Sequence, residues 1–470
     1  MVGLLNLPGE ILSEIVRCLC HHCYPGERCD KPGVARYVPD HASIRSISKT
    51  CKVLQAVSQP IAYHSVCVGQ DKCVLLIRLL AQRPDLARSV RQMNLNGVHG
   101  DEPEVSRGKC KTVLTPDDII FLGRLMEELP INTDGKPDRI SPRWHMEMVG
   151  KPSKVPRVPA PLGHVDNRPI YVLAALTLSL IPNVESFAYA QYDQRPFISC
   201  GSGSLGGLTE LLWVNTSWGD GPELRDVMAA APKLKHLYGD GGFSVHSNLN
   251  CSQLKTLELE CAGLDGEGLR DFVQKIDGLE SFSYRFNSTV PGPGFAKPRH
   301  VYEALISARD TLTTLNLSFT SSKRQMCILP PHLHIQTLQD LSALERVHLS
   351  DAVIFWGRGD EHTGTRGPYR LTQALPPSIR EFSLDLPIAS QSGFRRSAEL
   401  YDEPYPHLFH LAESIPEQFP NLTVVRIQKV IDTMAERLEI AFSQRGVAIT
   451  VQKKSDRTTS CCLDFWHIRP

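Results

Sequence analysis

Apolar positions recur at helical spacing in the N-terminal segment, then give way to short clusters patterned like strands. Ile11, Leu12, Ile15, Val16 and Leu19 fall on one face of a helix. Leu7-Pro8-Gly9-Glu10 opens that helix. Pro8 is tolerated in a first turn, and Glu10 is favourable at the positive end of the dipole. After a loop holding Pro25, Gly26, Pro32, Gly33 and Pro39, a second helical stripe runs through Ile44, Ile47, Cys51, Leu54 and Val57, and Pro60 should stop it. Such short amphipathic helices bury little by themselves and need the rest of the chain or a partner. Leu75, Leu76, Leu79 and Leu80 before Arg83-Pro84 predict a further helix, and Val90 to Leu95 a strand.

From about residue 100 to 169 the pattern fades. The stretch Thr133 to Pro169 is dense in proline and basic residues, and only Ile119 to Leu129 reads as helix. An exposed or partly disordered insertion is expected there. Beyond it a motif of three apolar residues repeats: Val184/Phe187/Tyr189, Leu208/Leu211, Leu234/Leu237 and Leu254/Leu257/Leu259, then Leu279/Phe282/Tyr284 and Leu312/Leu315/Leu317, then Leu344/Val347/Leu349, Ile379/Phe382/Leu384 and Leu422/Val425/Ile427. Helical patterns precede several of them, at Tyr171–Leu180, Glu223–Ala230, Gly268–Ile276, Val301–Ala308 and Leu408–Ile415. Turns such as Ile181-Pro-Asn, Ala231-Pro-Lys and Phe419-Pro-Asn intervene. A helix, a proline turn and a short strand, repeated, is the unit of a leucine-rich solenoid with a parallel sheet on its concave side.

Composition adds limits. At 470 residues the chain is too long for one ordinary core. Lys+Arg and Asp+Glu balance at 51 each, so no global charge favours nucleic acid or an anionic membrane. Met1 to Leu5 lacks a basic n-region, and Ile170 to Ile181 is too short to span a bilayer, so a cytoplasmic or nuclear location is expected. In a reducing compartment the 14 cysteines are expected to be mostly buried thiols and not a disulfide framework. The glycosylation-like triplets at Asn215, Asn287, Asn316 and Asn421 then have no secretory route.

The N-terminal residues also carry a family likeness. Leu7-Pro8-Gly9-Glu10-Ile11-Leu12, Ile15 and Leu19, then Ile44, Ile47-Ser48-Lys49-Thr50-Cys51-Lys52, Leu54, Val57 and Gln59-Pro60-Ile61-Ala62-Tyr63-His64 resemble the F-box family, in the form abundant in fungi. The stretch from Cys20 to His41 departs from the short loop of an ordinary F-box, although fungal relatives often carry such a Cys/His-rich insertion. The resemblance implies docking on the Skp adaptor of a cullin-based (SCF-type) ubiquitin ligase, by apolar side chains of short helices filling a pocketed partner surface. Leu7, Pro8, Ile11, Leu12, Ile15, Leu54, Pro60 and Tyr63 are the partner-binding residues it implies, with Ile15 and Leu54 open between partner and internal packing. A protein substrate would sit on the repeat sheet, where Trp218, Tyr238 and Trp356 are the aromatic anchors expected. Trp213 is equally suited to the core.

The expected architecture is α/β: N-terminal all-α F-box helices (1–68, with the insertion 20–41), then an irregular leucine-rich-repeat-like solenoid (170–452). A linking helix and first strand (69–99), the Pro-rich insertion (100–169) and a tail (453–470) complete it. The expected function is a non-enzymatic substrate adaptor, bound to no nucleic acid and no membrane, and the alternative is a repeat scaffold uncoupled from any ligase.

Cys18, Cys20, His21, His22, Cys23 and Cys29 crowd the insertion, and Cys20 and Cys23 have the two-residue gap of a zinc knuckle that Cys29 or a histidine would complete. No second pair follows at finger-like spacing, so buried thiols and hydrogen-bonded histidines at a helix end are expected, with no metal and no cofactor. Gly201-Ser-Gly203-Ser-Leu-Gly206 matches a dinucleotide fingerprint in letters, but it leads into a strand where that loop needs a helix. Asp360, Glu361 and His362 with Arg358 and Arg366 suit a solvated loop. No phosphate loop, nucleophile elbow or zinc-protease helix is present.

Overall fold

The computed structural model describes residues 6–20, 22–23, 42–69, 72–95, 115–128, 170–191, 205–215, 228–241, 251–287, 295–320, 331–350, 353–354, 370–386, 404–430 and 432–453. Three helices come first: α1 (Gly9–Arg17), α2 (Ala42–Ser48) and α3 (Lys52–Ala62). Twelve strands follow: β1 (Ser65–Cys67), β2 (Gln92–Asn94), β3 (Ser186–Gln191), β4 (Glu210–Asn215), β5 (His236–Asp240), β6 (Thr256–Glu260), β7 (Ser281–Asn287), β8 (Thr314–Thr320), β9 (Arg346–Ser350), β10 (Glu381–Asp385), β11 (Val424–Val430) and β12 (Ala448–Lys453). Their order in the sheet is the order of the chain, and the neighbours pair in parallel.

This corrects the expected layout. The sheet begins at Ser65–Cys67, inside the segment expected to be all-α, and an all-α domain followed by a separate leucine-rich-repeat-like solenoid is replaced by one all-parallel succession of twelve strands with helices. The α/β class itself stands. A three-residue strand offers too few positions for an alternating pattern, which is why Ser65-Val-Cys67 was illegible. Pro60 does not stop α3 either; the helix runs on to Ala62, because only the proline's own N–H is missing from the ladder.

Among the described residues the first of two compact units covers 6–238. Its N-terminal helices close over Val16, Cys20, Ile44 and Ile61, with Ile47, Val57 and Ala62 against them. Glu10 in the first turn and Arg17 in the last turn of α1 both complement the helix dipole. In the strands, Met93, Phe187 and Leu211 share one row, with Tyr189 beside Trp213. Trp213 is therefore core, edge-on to Tyr189 at 6.1 Å. Backbone bonds also align the residue before each strand. The His64 carbonyl accepts from Arg91 and Gln92, the Arg91 carbonyl from Glu185 and Ser186, and the Glu185 carbonyl from Thr209 and Glu210. His64, Arg91, Glu185 and Thr209 thus stand side by side at the strand starts.

The second unit covers described residues 239–453. Two apolar ladders run through its strands: Leu257, Phe282, Leu315, Val347, Phe382 and Val425, and Leu259, Tyr284, Leu317, Leu349, Leu384 and Ile427. All twelve are buried, which is what the repeated apolar triplets of the sequence encode. Removing one of the large side chains, such as Phe382, should cost about 3–5 kcal/mol. The alternate positions are polar. Asn316 Nδ2 donates to Ser283 Oγ at 3.1 Å, and Arg426 Nη1 donates to Glu381 at 2.8 Å. His348 Nε2 lies 3.6 Å from Asp385.

At the start of this unit, burial and then the neighbouring Glu260 carboxylate raise the Asp240 carboxyl from 3.8 to about 7, against a pull from Arg285. The folded state therefore holds this proton more tightly than the unfolded chain. The stability it contributes is full below the ordinary carboxylate value and is lost as pH rises through the raised one. Relative to Asp240→Asn, the wild type should lose stability between about pH 4 and 7. Paired denaturant melts across that range check it; a difference that does not change with pH contradicts it.

Candidate functional site

Helix α1 has two unlike faces. Leu12 and Val16 point inward and are buried. Ile11, Ile15 and Leu19, four residues apart on the opposite side, are 48%, 41% and 39% exposed. Val53 on α3 is 51% exposed. A helix surface keeps large aliphatic side chains in water at a cost, so a row of three is a feature that partner surfaces typically cover.

The expected partner-binding residues divide accordingly. Ile11 and Ile15 lie on the outward row, Pro8 is exposed beside it, and Leu7 is half-buried. Pro60 and Tyr63 are half-buried, while Leu12 and Leu54 are buried and face inward. Leu12 therefore holds the helices together and is not available to a partner. Ile15, open between two roles from sequence, is on the outside. Leu19 and Val53 belong to the exposed apolar surface, and the helical spacing of Leu19 from Ile11 and Ile15 was the signal for it.

Of the aromatic substrate anchors, Tyr238 is half-buried on β5; Trp218 and Trp356 lie outside the described residues. The Asp360–His362 cluster, Gly201 and Gly203 lie outside them too. The polar row Ser283, Asn316, His348, Ser383 and Arg426 was missed. It was readable as the residues between the apolar ladder positions once these are set in parallel register.

A second constellation lies where α1 ends. Cys20 is buried, and Cys23 is half-buried. His64, forty-odd residues on and just after α3, reaches both: its Nδ1 is 3.1 Å from Cys23 Sγ and 3.8 Å from Cys20 Sγ. The ligand atoms of these three residues all lie within 4.8 Å of one another. His22 turns Nδ1 toward Cys23 Sγ at 3.8 Å and Nε2 toward Glu185 at 3.4 Å. Burial, then the neighbouring His22 and Arg91, lower His64 to about 4, so its ring is neutral at physiological pH. Burial and then Cys20 raise the Cys23 thiol to about 11. A nucleophilic Cys–His pair works with a lowered thiol pKa, and the shift at Cys23 runs the other way. His21 and Cys29 lie outside the described residues, and Cys18, the C-cap residue of α1, is exposed.

Among the described residues no helix is long and apolar enough to cross a membrane. No protein-family model matches the chain, and no curated protein matches it either.

The two faces of α1 make opposite demands. Leu12→Ala should destabilise by about 2–5 kcal/mol through the cavity it leaves. Ile11→Ala should change stability by less than about 0.5 kcal/mol. Thermal melts of the two variants check the assignment of faces; equal losses contradict it.

Proposed function

We propose that this chain is a substrate-recognition adaptor subunit of a Skp–cullin ubiquitin ligase. The observation that carries the reading is the outward row Ile11, Ile15 and Leu19, which falls within the residues that resemble an F-box. A short helix with one face packed inward and an unpartnered aliphatic face outward is the chemical form of a helix that docks on a pocketed partner. Pro8 and the half-buried Leu7 extend that surface at its N-terminal end.

In this reading the protein performs no chemistry of its own. Its parallel strands offer a substrate the half-buried His348 and Arg426, set among the buried Ser283, Asn316 and Ser383 of the same row, and the ligase acts on what is held there. Hydrogen-bonding side chains fixed on strands suit recognition of a polypeptide surface, since they lose little freedom on binding. The identity of the substrate is carried by that row and its surroundings, and the compartment proposed is the cytoplasm or nucleus.

The test is co-purification of the full chain with the Skp adaptor, wild type beside Ile11→Asp/Ile15→Asp. A stoichiometric wild-type complex is expected, weakened at least about 100-fold in the variant because two buried carboxylates would each oppose docking. The variant should keep the wild-type melting temperature, since both side chains are exposed. Folded wild-type protein that forms no complex would sink this reading and leave a scaffold uncoupled from a ligase.

A further inference from the structure

We infer that Cys20, Cys23, His64 and His22 form a structural zinc site that fixes the end of α1 to the start of the sheet. A tetrahedral zinc ion with Zn–S of about 2.3 Å and Zn–N of about 2.0–2.1 Å sets its ligand atoms roughly 3.5–3.8 Å apart. The observed separations around His64 Nδ1, 3.1 Å to Cys23 and 3.8 Å to Cys20, bracket that requirement. His22 Nδ1 lies 3.8 Å from Cys23 Sγ but outside the three donor atoms that stand within 4.8 Å of one another, and a turn of its side chain would bring it in as the fourth donor. Two thiolates and two imidazoles are an established structural set for zinc.

The surroundings fit an ion as well as the donors do. A ligating histidine usually gives its other N–H to a carboxylate, which fixes the ring and strengthens the donor. Here His22 Nε2 faces Glu185 at 3.4 Å while Nδ1 faces the Cys23 thiol. The site is also pre-positioned from both sides. Cys20 is held in the helix core with Val16, Ile44 and Ile61, and the His64 backbone is locked by the pairing of β1 with β2. Glu185 is placed two strands over by the same register.

The charge balances. Binding releases both thiol protons, and two thiolates cancel the two positive charges of the ion, leaving a neutral site suited to burial. The site does not depend on ligase docking, because none of its ligands belongs to the outward row of α1.

The test is zinc content of the full chain, purified under reducing conditions from zinc-supplemented cells and gel-filtered into metal-free buffer. A stoichiometric ion is expected, retained in Cys18→Ser and lost in Cys23→Ser and His64→Gln. Because a ligand variant can lose metal by failing to fold, wild-type protein stripped by chelator is also titrated with cobalt. Tetrahedral cobalt absorption with thiolate charge-transfer bands is expected, and Glu185→Gln should weaken the cobalt affinity by about 10–100-fold. Folded wild type that carries no zinc and gives no such cobalt spectrum would overturn the assignment. Undiminished zinc in a folded Cys20→Ser/Cys23→Ser chain would overturn it equally.

Discussion

Parallel pairing in chain order is the constraint on which the rest depends. Strands β2 to β5 and β7 to β11 each begin with two backbone N–H groups donated to one carbonyl, that of the residue before the neighbouring strand: His64 for Arg91 and Gln92, Arg91 for Glu185 and Ser186, Glu185 for Thr209 and Glu210. The same bond pair recurs at Lys255, Glu280, Thr313, Glu345 and Arg380 in the second unit. An unpaired amide pair in a buried sheet is costly, so each of these strand starts must be paired, and the apolar pattern of the strands selects the register in which that happens. Once register is fixed, alternation sends every apolar triplet inward and every polar residue between them to the other face.

That step also assembles the N-terminal chemistry. His64 is both the last residue before β1 and the partner of two thiols at the end of α1, so sheet register and helix packing meet at one side chain. The helices themselves are short. Their inward faces bury Leu12, Val16, Ile44 and Ile61, and their outward faces keep Ile11, Ile15 and Leu19 in water. A helix set with so small a core gains from a tether at its end, which is the role given to the Cys/His cluster, and from a partner on its free face, which is the role given to the ligase adaptor.

Much of the fold was legible where a periodic pattern was long enough to read. The triplets Leu257 and Leu259, Leu315 and Leu317, Phe382 and Leu384 announced buried strands, and all of these residues are buried. Leu12 and Ile15, three residues apart on one helical stripe, were not separable by spacing, because a stripe drawn from five apolar residues wraps round to a second face. Their separation needed the packing of α2 and α3. The polar row escaped notice because its members belong together only after pairing of strands 30 to 45 residues apart. His64 escaped for the same reason: the two-residue gap of Cys20 and Cys23 is local, whereas the histidine that joins them is brought there by tertiary structure.

Amide hydrogen exchange of the full chain, with and without the Skp adaptor at saturating concentration, tests the central claim most directly. The account predicts added protection over α1, Gly9–Arg17, extending to Leu19, with the strand amides of β6 to β11 unchanged. Adaptor binding that left α1 unprotected, or protected the strands in its place, would contradict it.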